Sequence, residues 1–243
     1  MRTFCGRYPG LGRPLLLPTR TPHQQDTLII TMKKRRDNLV GLVLCGGQSR
    51  RMGTDKGQLR KDGLAWAEHL QHRLASLGLD TYLSINPLQQ PSYQQLFPPE
   101  SLITDQVDVP GPLGGLLSAH RHLPDADLFV LPCDMIDMDL PLLERLLDIR
   151  RQIVQADLYL YATNGQVEPL CAIYTASGLA KLYRAYQNQH LHNFSVKRAI
   201  QGLCTVKLPL HGHEKKFRNY NTPEHIRKWQ KNTADPVFGT FFE

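Results

Sequence analysis

Residues Leu39-Val40-Gly41-Leu42-Val43-Leu44-Cys45 form an uninterrupted apolar run that ends in Gly46-Gly47. A strand without a polar face must be covered on both sides, which is the situation inside a parallel sheet flanked by helices. Later segments repeat the theme. Thr81 to Asn86, Leu102 to Thr104, Asp127 to Leu131, Leu158 to Tyr161, Ala172 to Tyr174 and Thr205 to Leu208 read as strands. Between and after them, Leu64 to Leu77, Leu113 to His122, Leu140 to Arg150, Gly178 to Tyr186, Ser195 to Ile200 and Glu224 to Trp229 carry helical spacing. Alternating strands and helices predict an α/β fold, a three-layer open sheet that is mostly parallel. In such sheets ligands bind outside the carboxyl ends of the strands.

The chain has 243 residues, enough for one such domain. Residues 38–231 are expected to form it, with a disordered basic N-terminal extension at 1–37 and a short C-terminal tail at 232–243. Residues 1–37 are rich in Pro, Gly, Thr and Arg, which disfavours a buried core and predicts disorder. They also hold eight of the 29 Lys/Arg and two of the 22 Asp/Glu, which leaves 21 and 20 for the remainder. Six of the seven net positive charges therefore belong to the extension and one to the remainder, and no basic face for nucleic acid is expected on the domain. No apolar run is long enough to span a membrane, and a cytoplasmic location is expected. The five cysteines show no C-x-x-C pair and read as small buried hydrophobes in a reducing compartment.

Three stretches carry candidate chemistry. The first runs from Leu44 through Cys45-Gly46-Gly47 to Arg50-Arg51 and Lys56-Gly57. Paired glycines after a buried strand allow close backbone approach to anionic oxygens, and the cations suit a polyphosphate. It lacks Gly-Lys-Ser/Thr and G-x-G-x-x-G, so it is neither a Walker loop nor a Rossmann fingerprint. On residues alone it is a phosphate-binding loop or a glycine-rich turn. The second is Leu131-Pro132-Cys133-Asp134, where Asp134 is a metal ligand for Mg²⁺ or a loop aspartate. The third joins Asp105 to Val109-Pro110-Gly111-Pro112, a binding element before a helix or a structural turn. His190, His192, His211 and His213 read as solvated side chains, and His69 and His72 as surface residues. Asp137 and Asp139 are secondary metal ligands or acids at a helix start.

Together these stretches resemble the molybdenum cofactor guanylyltransferases, the MobA family of GT-A-like nucleotidyltransferases. The resemblance runs from about Leu39 to Trp229, and Asn219-Tyr220-Asn221-Thr222-Pro223-Glu224 is similar to the family's N-x-N-T-P-E element. It implies transfer of GMP from GTP to molybdopterin with release of pyrophosphate. It assigns nucleotide binding to Leu44, Cys45, Gly46, Gly47, Lys56, Asp105, Gly111 and Asp134. Arg51 and Lys56 would neutralise the triphosphate, Asp134 would hold Mg²⁺, and Asn219 and Asn221 would face the pterin. GTP and molybdopterin are the implied small-molecule partners, with molybdoenzymes or cofactor-synthesis proteins beside them. Two departures stand out: Ser84 replaces a family asparagine and Cys45 an alanine. The alternatives are a relative using CTP with molybdopterin or a nucleoside triphosphate with a sugar phosphate. A nucleotide-binding protein without turnover is the alternative of another class.

Overall fold

The computed structural model describes residues 38–46, 55–191, 193–210, 212–220 and 224–227. Gly47, Arg51 and Asn221, His192 and His211, the expected extension 1–37 and the tail 232–243 lie outside the described residues.

In chain order the elements are β1 (Leu39–Leu44), β2 (Arg60–Lys61), β3 (Leu64–Ala65), α1 (Trp66–Ala75), β4 (Thr81–Ile85), α2 (Gln90–Tyr93) and β5 (Leu102–Thr104). They continue with α3 (Pro112–His122), β6 (Asp127–Pro132), α4 (Leu140–Gln152), β7 (Leu158–Thr163), β8 (Gln166–Tyr174), α5 (Ala176–Gln187), α6 (Val196–Ala199) and β9 (Thr205–Pro209). Seven strands make one sheet in the order β5-β4-β1-β6-β8-β7-β9. Pairing is parallel throughout except at β8, which runs against both β6 and β7. This is the open, mostly parallel sheet that the apolar runs predict.

Strand β1 is buried along its whole length, and its alternation feeds two cores. Leu39, Val43 and Cys45 join Leu70 and Leu74 of α1 and Leu142, Leu143 and Leu146 of α4. Val40, Leu42 and Leu44 join Leu113, Leu116 and Leu117 of α3 and Leu179 and Leu182 of α5. Helices on both faces give the three layers, and each leucine so covered contributes roughly 1.5–3 kcal/mol of hydrophobic stabilisation. The chain leaves β1 toward β4 and β5, then returns through α3 to place β6 on the other side of β1. The order of strands therefore reverses at β1, and the carboxyl ends of β1, β4, β5 and β6 open on a common crevice.

Two elements differ from expectation. The helix expected from Leu64 begins at Trp66, because Leu64–Ala65 pairs with Arg60–Lys61 across Asp62-Gly63, both at positive φ. Asp-Gly is a strong hairpin turn, and it overrides the helical spacing of the apolar residues. The strand expected only at Ala172 to Tyr174 extends back to Gln166. Asn164-Gly165, at φ 46° and 77°, closes the β7–β8 hairpin. Within it the register jumps from Leu160 opposite Ala172 to Tyr161 opposite Glu168, so Pro169-Leu170-Cys171 bulges out. Proline has no N–H for the ladder and belongs at such an irregularity. The Tyr174 hydroxyl donates to the Pro169 carbonyl at 2.8 Å and pins the bulge.

Candidate active site at the carboxyl edge of the sheet

The amides of Cys45 and Gly46, just past β1, both donate to the Ser84 carbonyl, at 2.8 and 2.9 Å. Leu44 accepts from the Cys133 amide at 3.0 Å, and the Cys45 carbonyl accepts from Gln89 Nε2 at 3.1 Å. These backbone groups weld β1 to its neighbours, so the two amides are engaged inside the protein rather than turned outward. Gly46 matters for space: a Cβ there would stand 3.2 Å from Asp105 Oδ2.

Asp105 follows β5. Ser84 Oγ donates to its Oδ1 at 3.2 Å, and burial pushes its pKa up to about 6, with the Ser84 hydrogen bond opposing. Ser84 is fully buried, and a Cβ on Gly115 of α3 would stand 2.5 Å from its Oγ. Ser84 thus lies behind Asp105 and orients it. Gly111 at φ 75° precedes Pro112, the first residue of α3, in a backbone conformation that favours glycine. Gly46, Asn86, Leu88, Asp105, Val109 and Gly111 line a cleft of about 710 Å³.

Lys56 and Asp134 meet beside it. Lys56 Nζ lies 3.0 Å from Asp134 Oδ2, with side chains only 14% and 15% exposed. Lys56 opens a short 3-10 turn, Lys56–Gln58, which Asp55 caps by accepting from the Gly57 amide at 2.9 Å. Asp55 also accepts from Gln89 Nε2 at 2.6 Å and from the Tyr93 hydroxyl at 3.1 Å. Gln89 and Tyr93 thereby fix the turn that presents Lys56. Sequence reading passed over all three. The signal available was an aspartate two residues before a glycine, the pattern of a side chain bonding its own turn. Lys56 and Asp134 line a second cavity of about 280 Å³ with Pro112, Cys133, Leu170 and Asn219, and Gly46 lies on the walls of both cavities. Leu170 comes from the β8 bulge, and Asn219 from the segment after β9.

The structure therefore brings together Leu44, Cys45, Gly46, Lys56, Asp105, Gly111, Asp134 and Asn219. It gives Asp137 and Asp139 other partners: the Tyr220 hydroxyl donates to Asp137, and Lys216 Nζ lies 3.2 Å from Asp139. His69 is half-buried rather than at the surface, with Nε2 2.6 Å from the Lys61 carbonyl of the β2–β3 hairpin. Cys45, Cys133 and Cys171 are buried thiols, as expected, while Cys204 is exposed. Among the described residues no three His, Cys, Asp or Glu converge as a metal cage. Asp134 instead offers a single carboxylate on the wall of the second cavity, and Mg²⁺ is usually held by one or two carboxylates together with substrate phosphates and waters. Among the described residues no helix is long and apolar enough to cross a membrane.

An open α/β sheet whose strand order reverses above a glycine-lined crevice, with a lysine–aspartate pair in it, defines a nucleotide-binding protein of the nucleotidyltransferase fold. The chain belongs to the family of MobA-like NTP transferase domains, whose model matches residues 41–201. It is 30% identical over 191 residues to a molybdenum cofactor guanylyltransferase of Pseudomonas paraeruginosa, covering 77% of this chain and 92% of that protein. It is 35% identical over 156 residues to a molybdenum cofactor biosynthesis bifunctional protein of Synechocystis sp., covering 63% of this chain. The match spans only 44% of that longer protein. Among solved structures, molybdopterin-guanine dinucleotide biosynthesis protein A of Archaeoglobus fulgidus shares the fold with a TM-score of 0.64 and 22% identity. That likeness covers 80% of this chain and 98% of the archaeal one.

Proposed function

We propose that the protein transfers GMP from GTP to molybdopterin and releases pyrophosphate. The observation that carries the reading is the Lys56–Asp134 pair, 3.0 Å apart in a cavity whose wall includes Asn219 and which adjoins the Asp105 cleft. The 280 Å³ cavity has room for phosphates beside a cation, and the 710 Å³ cleft falls in the size range of ligand pockets. The guanylyltransferase of Pseudomonas paraeruginosa supports the choice of donor and acceptor, because this chain aligns with nearly all of it.

In this reading the terminal phosphate oxygen of molybdopterin attacks the α-phosphorus of GTP. A new O–P bond forms, the α–β phosphoanhydride breaks, and pyrophosphate leaves with the electron pair. The nucleophile is already an anion at neutral pH, so positioning and charge neutralisation do most of the work. Lys56 neutralises the triphosphate, joined by Arg51 from the stretch outside the described residues. Asp134 would hold Mg²⁺, which when bound supplies positive charge against the phosphate oxygens. Asp105 contacts the nucleotide from the cleft, with Gly111 and Gly46 giving it close backbone approach; Gly47, outside the described residues, is assigned to the nucleotide by the resemblance alone. Asn219 and Asn221 contact the pterin. The test is pyrophosphate release by the purified protein with molybdopterin and each of GTP, CTP, ATP and UTP. GTP is expected to be the preferred donor. Preference for CTP, or turnover only with a sugar phosphate, would overturn the assignment while leaving the family membership intact.

A further inference from the structure

The segment after β9 is fastened to the loop that follows Asp134, and the fastening is specific to side chains. The loop between Asp134 and α4 carries Ile136, Asp137 and Asp139. The Tyr220 hydroxyl donates to Asp137, and its ring meets Trp66 edge-on with centroids 5.9 Å apart. Lys216 pairs with Asp139 at 3.2 Å. Ile226 is buried with Ile136 and Trp66 in a small core of their own, against which Tyr220 packs. From α1, the Arg73 guanidinium also donates to the Ile136 carbonyl at 2.8 Å and to the Met138 carbonyl. Asn219, next to Tyr220, lines the cavity that holds Lys56 and Asp134.

We infer that the Tyr220–Asp137 hydrogen bond is a latch that sets the distance between Asn219 and Asp134, and so between the acceptor and the centre of transfer. Tyr220 is then a positioning residue, acting through Asn219. The inference rests on the reading above in one respect, that Asn219 faces the acceptor. Only Met135 and Ile136 separate Asp137 from Asp134, and Tyr220 immediately follows Asn219, so little slack intervenes on either side. In an extended segment successive side chains take opposite faces, which lets Tyr220 bind the loop while Asn219 faces the cavity. Asp137 and Asp139, acids whose spacing after Asp134 suggested a metal role, are thereby explained as docking points.

The experiment compares Tyr220→Phe, Asp137→Ala, the double variant and Asp137→Asn in the full chain. Pyrophosphate release gives KM for molybdopterin and for GTP on each protein, and hydrogen exchange reports on residues 214–220. Tyr220→Phe keeps the ring and loses only the hydroxyl. KM for molybdopterin is expected to rise about tenfold in Tyr220→Phe and in Asp137→Ala, with no further rise in the double variant. KM for GTP should stay within about twofold, and Asp137→Asn, which still offers an acceptor, should stay near the parent. Exchange at 214–220 should accelerate in Tyr220→Phe while the sheet is unaffected. Unchanged exchange, equal rises in both KM values, or additive effects in the double variant would overturn the latch. Should the parent protein fail to use molybdopterin at all, the proposed function falls, and the exchange measurement alone decides whether Tyr220 holds the segment in place.

Discussion

Replacing Asp105 by asparagine is expected to stabilise the protein above pH 6 and leave its stability at pH 4 little changed. Burial raises the Asp105 carboxyl from 3.8 to about 6. Between those values the native state keeps a proton that the unfolded chain has released, so stability falls as pH rises through the window. Below it both states are protonated and the carboxyl costs nothing; above it the folded protein carries a desolvated charge. A shift of about two units corresponds to about 3 kcal/mol, and partial solvent access to the group reduces that to about 2 kcal/mol. In a domain of this size that is about 4–8 °C in melting temperature. Asparagine fills the same space, can still accept from Ser84 Oγ, and does not ionise. Thermal denaturation at half-unit steps from pH 4 to 7.5 tests this. The difference between variant and parent should be near zero at pH 4, grow toward pH 6 and level off beyond it. Ser84→Ala makes the converse test: losing the hydrogen bond that favours the carboxylate should carry the pH-dependent loss to higher pH. A difference constant across the range, or one that favours aspartate at neutral pH, would refute the argument. GTP affinity is expected to fall in the same stabilised Asp105→Asn protein, the usual relation between a strained binding residue and stability.

Asp134→Asn keeps shape and removes charge, and pyrophosphate release should slow at least about 10²-fold at saturating Mg²⁺. Gly115→Ala would place a Cβ 2.5 Å from Ser84 Oγ and 3.1 Å from Leu44 Cδ2. A destabilisation of about 1–3 kcal/mol is expected in urea denaturation, with partial recovery when Ser84 is also changed to alanine. Asn219→Ala should weaken use of molybdopterin by about 1–3 kcal/mol in kcat/KM, and GTP affinity measured by calorimetry should stay near that of the parent.

The half of the sheet proposed to hold the nucleotide is written plainly in the sequence. Strands β1, β4, β5 and β6 are parallel, and the runs of β1, β5 and β6 end shortly before a glycine or an acid, which marks the ligand end of the sheet. Asp105 and Asp134 were found because each stands one or two residues past such a run. What the runs did not reveal was the traffic between strand ends. The Cys45 and Gly46 amides go to Ser84, and Asp55, Gln89 and Tyr93 hold the turn of Lys56. These are contacts between segments 30 or more residues apart, and no local period encodes them.

The other half depends on turns and exceptions rather than on periodicity. Strand β8 reverses direction, Asn164-Gly165 makes the reversal, and Pro169-Leu170-Cys171 breaks the register. A window seeking apolar alternation sees only Ala172 to Tyr174, because Glu168 and Pro169 interrupt it. Yet the interruption is what brings Leu170 to the wall of the Lys56–Asp134 cavity. A regular β8 would place alternate side chains on the two cores and give the cavity no such wall. The segment carrying Asn219 reaches the same wall from beyond β9, held by Lys216 and Tyr220 against the loop of Asp134. In the proposed reading the acceptor side is thus assembled from a bulge and a fastened segment, on a sheet whose regular strands would carry the nucleotide. Change in acceptor preference is therefore expected to map to Leu170 and residues 216–220, and change in the donor nucleotide to the ends of β4 and β5.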